Sequence, residues 1–365
     1  MGGVLHQRRL QISGGIFSLC AAVGLALPGS FLLQEAGPAL DVTGDLDGVQ
    51  LLQISGAETY PTETELFMTT VSSFGNSQMG VPGAQALGAL VFRDQQLVPV
   101  RAMYSRQESA AEVEERNAAM MTSSQDSGTV AGLQAAGYSV PMTLTVSGVS
   151  KDSPAEGKFE EGDILTSITV GTTMTPITTF SDLSRVLFSV DPGTSVTLGF
   201  TRAGESQQAT LQTQAYEADS TGWVHPGSRL GLYIASSDVK FPIDVSYGVK
   251  EIGGPSAGSM FALAIYDKLT DGSLGGDHRI AGTGTMSYNG DIGPIGGIPH
   301  KLVGAAEEGA EYFLAPAENC AETIGYEPDG MQVFAVRNLD EAIAAAKAIG
   351  DGDTSGLATC RDVAK

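Results

Sequence analysis

A Gly-Gly-Pro-Ser turn runs directly into an almost uniformly apolar segment, and this junction constrains the fold more than any other feature. Ser256 follows the turn at 253–255, and residues 257–269 contain an unbroken apolar run at 260–265. A segment that is apolar nearly all round is typical of a buried helix. The sequence therefore predicts the Ser256 hydroxyl at a helix N-terminus, where free backbone N–H groups can stabilise an anion. A simple helix N-cap is the alternative role for this serine.

A second motif, Gly-Gly-Ile-Pro-His-Lys-Leu, places Lys301 in the first turn of another predicted helix. Pro299 suits the first helical position, and the helix is expected to end near Gly309. A lysine can accept a proton only when it is neutral, and burial among apolar groups lowers its pKa. Its apolar neighbours are Ile298, Leu302 and Val303. We predict that Lys301 is the base that a serine hydroxyl needs to become a nucleophile, although a lysine at this place is often only solvated.

Together, these motifs resemble the proteolytic domain of Lon proteases over roughly residues 225–350. The similarity lies in Gly-Pro-Ser-Ala-Gly at 254–258 and in Ala-Gly-Thr-Gly-Thr-Met-Ser-Tyr-Asn-Gly-Asp-Ile-Gly-Pro-Ile-Gly-Gly-Ile-Pro-His-Lys at 281–301. The resemblance implies that Ser256 is the nucleophile, that Lys301 is the general base and that Thr283 helps to position the lysine. Thr283 could instead be a strand residue packed in the core. The turn at Gly254 and Pro255 would lie beside the backbone N–H groups that hold the oxyanion.

The chain departs from the Lon pattern in two ways. Thr285 stands where the family has a glutamate, and the sequence contains no Gly-x-x-x-x-Gly-Lys-Ser/Thr motif of an ATPase. We therefore expect neither ATP-driven unfolding of substrates nor a cofactor. A metallopeptidase is not expected either, because the spacing of the histidines does not suit a metal. They include His225, His278 and His300.

Residues 130–215 resemble a PDZ domain. The resemblance lies in a strand at 141–149, a short helix, turn and strand at 153–165, a groove helix at 180–188 and a strand at 195–202. PDZ domains add a peptide strand beside that helix and hold a terminal carboxylate on backbone N–H groups. Residues 136–139 stand where the carboxylate loop would lie, but Ala-Gly-Tyr-Ser departs from the usual Gly-Leu-Gly-Phe. A peptide-binding module and a structural module that restricts access to the peptidase both stay open.

The N-terminal residues predict a membrane anchor. Arg8 and Arg9 precede residues 10–33, which carry no formal charge, and their core has about the 18–20 residues that span a bilayer. With the basic flank first, residues 1–9 are expected in the cytoplasm and the bulk of the chain outside it, as a single-pass cell-membrane protein. A cleaved signal peptide is the alternative, because Gly24-Leu25-Ala26 offers small residues at the cleavage spacing.

The rest of the chain divides into a scaffold region at 41–125 and a polar tail at 351–365. A net charge of −22, from 20 Lys and Arg against 42 Asp and Glu, argues against nucleic acid as a partner. Cys20 falls in the predicted anchor, which leaves Cys320 and Cys360 to form a disulfide between the tail and the peptidase region in an oxidising compartment. Two unrelated thiols are the alternative.

The sequence as a whole predicts an α/β (α+β) protein with a transmembrane helix, a β-rich PDZ-like domain and a Lon-type proteolytic domain. The expected activity is ATP-independent hydrolysis of peptide bonds in extracytoplasmic or membrane-proximal proteins. The expected partners are protein or peptide substrates, the membrane and, in an oligomer, copies of the same chain. A catalytically inactive scaffold or adaptor is the alternative, which Thr285 favours and which intact Ser256 and Lys301 disfavour.

Overall fold

The computed structural model describes residues 2–46, 48–92, 94–105, 108–248 and 252–364. Helices and strands fall into three stretches of sequence. The first stretch comprises α1 (Gly2–Ala26), β1 (Phe31–Asp41), β2 (Asp45–Leu46), β3 (Val49–Gln50), β4 (Leu52–Ser55), β5 (Glu65–Phe74), α2 (Gly83–Gly88), β6 (Gln96–Pro99), α3 (Val100–Met103) and α4 (Ala110–Ala135).

The other two stretches show the predicted mixture of helices and strands, so the mixed α/β class is confirmed. The middle stretch comprises β7 (Thr143–Val149), β8 (Ile164–Val170), β9 (Thr173–Pro176), α5 (Phe180–Phe188), β10 (Ser195–Arg202), β11 (Glu205–Gln212) and β12 (Leu232–Ser237). The last comprises β13 (Asp244–Tyr247), α6 (Gly258–Leu269), β14 (Arg279–Gly282), β15 (Thr285–Met286), β16 (Ile292–Gly293), α7 (Ile298–Glu307), β17 (Tyr312–Pro316), a 3-10 turn (Ala317–Asn319), α8 (Cys320–Thr323), β18 (Gln332–Val336), α9 (Leu339–Gly350) and α10 (Cys360–Val363).

The main sheet combines strands from the first and last stretches. Its order is β18-β17-β14-β5-β1-β6. The four strands from β18 to β5 are parallel, whereas β1 is antiparallel to both β5 and β6. Ile280 of β14 lies opposite Leu66 of β5 on one side and Tyr312 of β17 on the other. The segment predicted as a scaffold therefore supplies strands to the sheet of the segment predicted as proteolytic.

Helix α6 is buried between this sheet and α4, as its apolar sequence predicts. Residues 260–265 are each at most 1% exposed. The two helices approach closely because α4 has Gly128 and Gly132 on the side that meets α6. A Cβ added at Gly132 would lie 2.7 Å from the carbonyl oxygen of Ala262. The Ser109–Glu112 capping box begins α4.

The strands between α4 and β13 in the sequence form a second sheet. Its order is β11-β10-β8-β7-β12, with β9 paired to β8. Helix α5 begins at a capping box of Thr179 and Asp182. After β12 the chain returns to the first stretch, where β13 pairs with β4.

The predicted transmembrane segment over residues 10–33 is wrong. Among the residues that the structure describes, no helix has both the length and the apolar character needed to cross a membrane. Helix α1 ends at Ala26, and the apolar residues that follow belong to β1, where Leu32 and Leu33 are buried in the core. Hydropathy alone does not separate a membrane segment from a helix followed by a buried strand. The single-pass membrane localisation, which was predicted from that segment, is therefore wrong as well.

Candidate active site

The structure brings Ser256, Lys301 and Thr283 together. The Lys301 Nζ atom donates hydrogen bonds to Ser256 Oγ at 2.8 Å and to Thr283 Oγ1 at 2.8 Å. It donates a third to the backbone carbonyl of Thr69 at 2.9 Å. Lys301 is 2% exposed and Thr283 is 1% exposed. The three residues named from the sequence therefore form one cluster, in which Lys301 and Thr283 are buried and Ser256 is half-buried, and β5 adds a carbonyl oxygen to it.

Ser256 lies just before α6 and does not cap it. The N-cap residue is Ala257, and no side-chain hydrogen bond closes this end of the helix. Gly254 has a φ of 97°, a left-handed conformation that favours glycine. Two hydrogen bonds join this turn to helix α4. The backbone carbonyl of Asn117 accepts from the Gly254 N–H at 3.2 Å, and the Ser124 hydroxyl donates to the carbonyl of Pro255 at 3.0 Å. Gly254 and Pro255 thus hold the serine where its side chain is free to meet Lys301.

Thr283 links both members of the pair. Its hydroxyl donates to the Ser256 carbonyl at 3.0 Å, while its oxygen accepts from Lys301. The same carbonyl accepts from the Gly284 N–H at 2.9 Å. The loop after β14 therefore fixes the backbone of the serine and the side chain of the lysine at once.

Burial changes the acid–base chemistry of the lysine. Desolvation lowers the pKa of Lys301 from 10.5 to about 7 because a charged ammonium group loses its hydration in this site. The first turn of α7 carries the residue inward, and Ile298 and Leu302 beside it are fully buried. With this pKa, the amine is neutral in a large fraction of molecules near neutral pH. A neutral amine can accept a proton, as the predicted role requires.

The carbonyl of Thr69 is a functional group that sequence reasoning missed. It is a backbone atom, so no side-chain pattern marks it. Its position depends on β5 pairing with β14, two strands that lie far apart in the sequence. The Thr69 side chain supports this pairing by donating to the carbonyl of Gly282 at 3.1 Å.

The serine and lysine line a cleft of about 1180 Å³. Thr285, which replaces the family glutamate, also lines it. Several walls are apolar and come from both the first and the last stretch of the chain: Met68, Met103, Tyr104, Met121, Ile252 and Ile295. Polar side chains line the cleft beside these apolar walls, among them Ser72, Ser73 and Asn117.

Cys320 and Cys360 form a disulfide that joins α8 to α10. Both cysteines are buried, and Cys20 is exposed and unpaired. Glu318, Asn319 and Glu322, around Cys320, line the cleft. Within the described residues, no group of three or more His, Cys, Asp or Glu is placed to hold a metal ion.

A second groove, of about 530 Å³, runs between α5 and β12. In the described part of the chain β12 pairs only with β7, so its other edge faces the groove beside the helix. Residues 136–139, where we expected the carboxylate loop, instead terminate α4: Gly137 has a φ of 88° and the Tyr138 N–H donates to the carbonyl of Leu133. The loop that precedes β12 lines the groove with Leu230 and Gly231.

Solved PDZ domains are among the structures that this chain resembles. The PDZ domain of the SdrC-like protein Lmo2051 from Listeria monocytogenes is 20% identical, with a TM-score of 0.20, and the match covers 25% of this chain and 85% of that one. The PDZ domain of the SdrC-like protein Lin2157 from Listeria innocua is also 20% identical, with a TM-score of 0.21. The match covers 25% of this chain and 92% of that one.

Curated relatives match the part of the chain that carries the serine and lysine. Lon protease 2 of Bacillus subtilis is 34% identical over 107 residues, 29% of this chain and 19% of that protein. The Lon protease of Phenylobacterium zucineum is 36% identical over 118 residues, 32% and 14% of the two chains. The archaeal Lon protease of Methanocaldococcus jannaschii is 32% identical over 101 residues, 28% and 15%. The matched segment spans less than a fifth of each relative.

The family model for the Lon protease (S16) C-terminal proteolytic domain matches residues 234–348. This range includes Ser256, Thr283 and Lys301, the cluster described above. Residues 234–348 are therefore similar to the proteolytic domain of the Lon (S16) serine proteases.

Proposed function

We propose that this chain is a serine endopeptidase in which Ser256 is the nucleophile and Lys301 is the general base. The observation that carries the proposal is the 2.8 Å contact between Nζ of the buried Lys301 and Oγ of the half-buried Ser256. The lysine is uncharged in a large fraction of molecules near neutral pH because burial lowers its pKa to about 7. The Lon-type proteolytic domain supports the same reaction class.

The hydrogen bonds around Lys301 orient its lone pair. A neutral amine has two N–H bonds, and the Thr69 carbonyl and Thr283 Oγ1 accept them. The Thr283 hydroxyl proton is already donated to the Ser256 carbonyl, so its oxygen faces the amine as an acceptor. The remaining lone pair then faces Ser256 Oγ and can take the proton as this oxygen attacks a scissile carbonyl.

Proton transfer then completes the cycle. The Lys301 ammonium group returns its proton to the leaving amine when the tetrahedral intermediate collapses to an acyl-enzyme. The neutral lysine next deprotonates a water molecule that attacks the ester, and Ser256 is regenerated. The backbone N–H groups of Ser256 and Ala257 donate no hydrogen bond to another described residue, and we assign them to the oxyanion.

Hydrolysis by this chain is proposed to be independent of ATP and to act on unfolded or extended polypeptides. The sequence has no phosphate-binding ATPase motif, and the apolar walls of the cleft suit extended chain segments. We also propose that the groove between α5 and β12 binds a peptide as an added strand, because the free edge of β12 lies beside the helix.

The deciding experiment is cleavage of an unfolded test protein without ATP by the full chain and by S256A and K301A. We expect the parent to cleave and both variants to lose at least about a hundredfold in rate. S259A is the matched control: Ser259 lies on the same helix, and its hydroxyl has no hydrogen-bond partner among the described residues.

Reaction with a fluorophosphonate probe separates the proposal from the inactive scaffold. The peptidase should be labelled at Ser256, and S259A should be labelled like the parent. A folded parent that neither cleaves protein nor reacts with the probe would favour the inactive scaffold, for which Thr285 in place of the family glutamate is the supporting observation.

A further inference from the structure

The loop that delivers Lys301 to the site is glycine-rich and enters its helix without a side-chain cap. It runs from the end of β16 to the start of α7, and Pro294, Ile295, Gly296 and Gly297 all line the cleft. Gly297 is the N-cap residue, with a φ of 72° and no capping hydrogen bond from a side chain. The Lys301 N–H donates to the carbonyl of Gly297 at 3.3 Å. The placement of the lysine therefore depends on what holds this loop.

Asn319 holds the loop through both backbone groups of one residue. The Ile295 N–H donates to Asn319 Oδ1 at 2.8 Å, and Asn319 Nδ2 donates to the Ile295 carbonyl at 2.9 Å. The same Nδ2 donates to Glu322 Oε1 at 2.8 Å. Asn319 is 1% exposed, so these bonds form where water competes poorly. Only a carboxamide in this orientation satisfies a donor and an acceptor of the same residue.

Asn319 lies between the main sheet and the Cys320–Cys360 disulfide. It ends the 3-10 turn that follows β17 in the parallel part of the main sheet. The next residue, Cys320, is bonded to Cys360, and the Thr323 hydroxyl donates to the Cys320 carbonyl at 2.8 Å. The contact with Ile295 thus joins the loop to the sheet and to the disulfide.

We propose that Asn319 is a positioning residue that fixes the 294–297 loop and thereby holds Lys301 against Ser256. This inference rests on the proposed function. The Nζ atom has three short contacts that must be kept together, and a displacement of about 1 Å at a reacting group can cost roughly a hundredfold in rate. Among the described residues, the side chain of Asn319 has hydrogen bonds with Ile295 and Glu322 and none with Ser256 or Lys301, so it would act through the loop.

The test uses the full chain with N319A and N319D. The carboxylate of N319D keeps an acceptor for the Ile295 N–H but sets its second oxygen against the Ile295 carbonyl and Glu322. Both variants should lower the rate of fluorophosphonate labelling at Ser256 by roughly tenfold to a hundredfold. They should also move the midpoint of the pH–rate profile upward, because a loosened lysine is better hydrated and binds its proton more tightly.

N338A is the matched control. Asn338 Oδ1 accepts from the Glu341 N–H at 2.8 Å and caps α9, so its loss lowers stability without touching the 294–297 loop. N338A should keep the parent pH midpoint. If N319A and N319D are folded and share the parent rate and midpoint, Asn319 is only structural and the proposal is overturned.

A readout without catalysis keeps the proposal separate from the proposed function. With ¹³C-labelled lysine, the Cε resonance of Lys301, assigned from its loss in K301A, reports the ionisation of the amine directly. If a folded parent is not labelled at Ser256, the proposed function fails, and the Lys301 titration still decides the role of Asn319. An unchanged titration in N319A and N319D would then overturn it, whereas an upward shift would support it.

Discussion

At the scale of single residues, the proposed activity depends on one buried amine, that of Lys301, which must lose its proton. The pKa of Lys301 is lowered to about 7 by desolvation alone. This value implies that the folded chain binds fewer protons than the unfolded chain between about pH 7 and 10.5. The lysine therefore costs stability that returns as the pH rises through this window. The same burial that weakens the fold near neutral pH makes the amine a base.

The rate of Ser256 labelling should follow the neutral fraction of Lys301. We expect the rate to be low at pH 5, to rise with a midpoint near pH 7 and to level off above pH 8.5. The measurement is the initial rate of fluorophosphonate labelling across this range, corrected for the folded fraction at each pH. A rate that is constant from pH 5 to 8.5, or that rises only above pH 10, would show that Lys301 is not the base.

Thr283 offers a second test at this scale. The T283V variant keeps the shape of the side chain but removes the acceptor for Lys301 and the donor to the Ser256 carbonyl. We expect its kcat/KM to fall by roughly tenfold to a hundredfold. T283S keeps the hydroxyl and should lie within about threefold of the parent. Equal losses in the two variants would point to packing rather than to the hydroxyl.

The sequence predicted the members of the cluster better than it predicted their surroundings. Ser256, Lys301 and Thr283 lie in motifs whose residue types the chemistry requires. The carbonyl of Thr69 and the carboxamide of Asn319 could not be foreseen, because the first is a backbone atom and the second depends on a loop held across the sheet. Their positions follow from strand pairing, which no local pattern contains.

At the scale of elements, the position of Ser256 depends on how closely α4 packs on α6. A Cβ at Gly132 would lie 2.7 Å from the Ala262 carbonyl oxygen and 2.8 Å from Ile265 Cβ. Neither contact can be relieved by rotating a flexible side chain. The same helix α4 holds the turn at 253–255, so a displaced α4 also disturbs Ser256.

The G132A variant should therefore lose stability and activity together. We expect the free energy of unfolding to fall by about 1–3 kcal/mol. Urea denaturation, monitored by circular dichroism, measures the loss of stability. The labelling rate at Ser256 measures the loss of activity. G88A is the control, because Gly88 ends a surface helix and a Cβ there would meet no atom within 4 Å. A G132A protein as stable as G88A would contradict the close packing.

Local patterns also misassigned elements at this scale. The hydropathy of residues 10–33 predicts one membrane segment, but α1 ends at Ala26 and the last apolar residues of this range belong to the strand β1. The strand β12 was not assigned, although it forms one wall of the α5 groove. Both cases arise because an apolar run predicts that a segment is buried but does not say whether the segment is a helix or a strand.

The C-terminal residues are tied to the body of the protein by a bond that closes 40 residues of chain. Beyond this bond, the Ala335 N–H donates to the carbonyl of Ala358 at 2.9 Å, which places the segment before α10 against β18. We expect C360S to lower the free energy of unfolding by roughly 2–4 kcal/mol, because the unfolded chain gains freedom. Thermal unfolding measured without reductant checks this. C20S, which changes the exposed free cysteine, should unfold like the parent.

At the scale of the whole molecule, the region that matches the Lon proteolytic domain shares its main sheet with strands from outside the matched range. Residues 234–348 supply β14, β17 and β18, whereas β5, β1 and β6 come from residues 31–99. Without β5, one edge of β14 would be unpaired and the Thr69 carbonyl would be missing from the site. The segment predicted as scaffold thus supplies strands to the main sheet and the Thr69 carbonyl that contacts Lys301.

This arrangement predicts that residues 225–365 alone do not form a stable domain. The fragment would expose the face of α6 that α4 covers, and it would leave β14 with an open, apolar edge that favours aggregation. We expect it to show no cooperative thermal transition and no labelling at Ser256. A chain of residues 30–365 keeps every strand of the main sheet together with α4, and it is the control that should unfold cooperatively and react with the probe. If the short fragment unfolds with the same midpoint as this control, the N-terminal strands do not complete the domain.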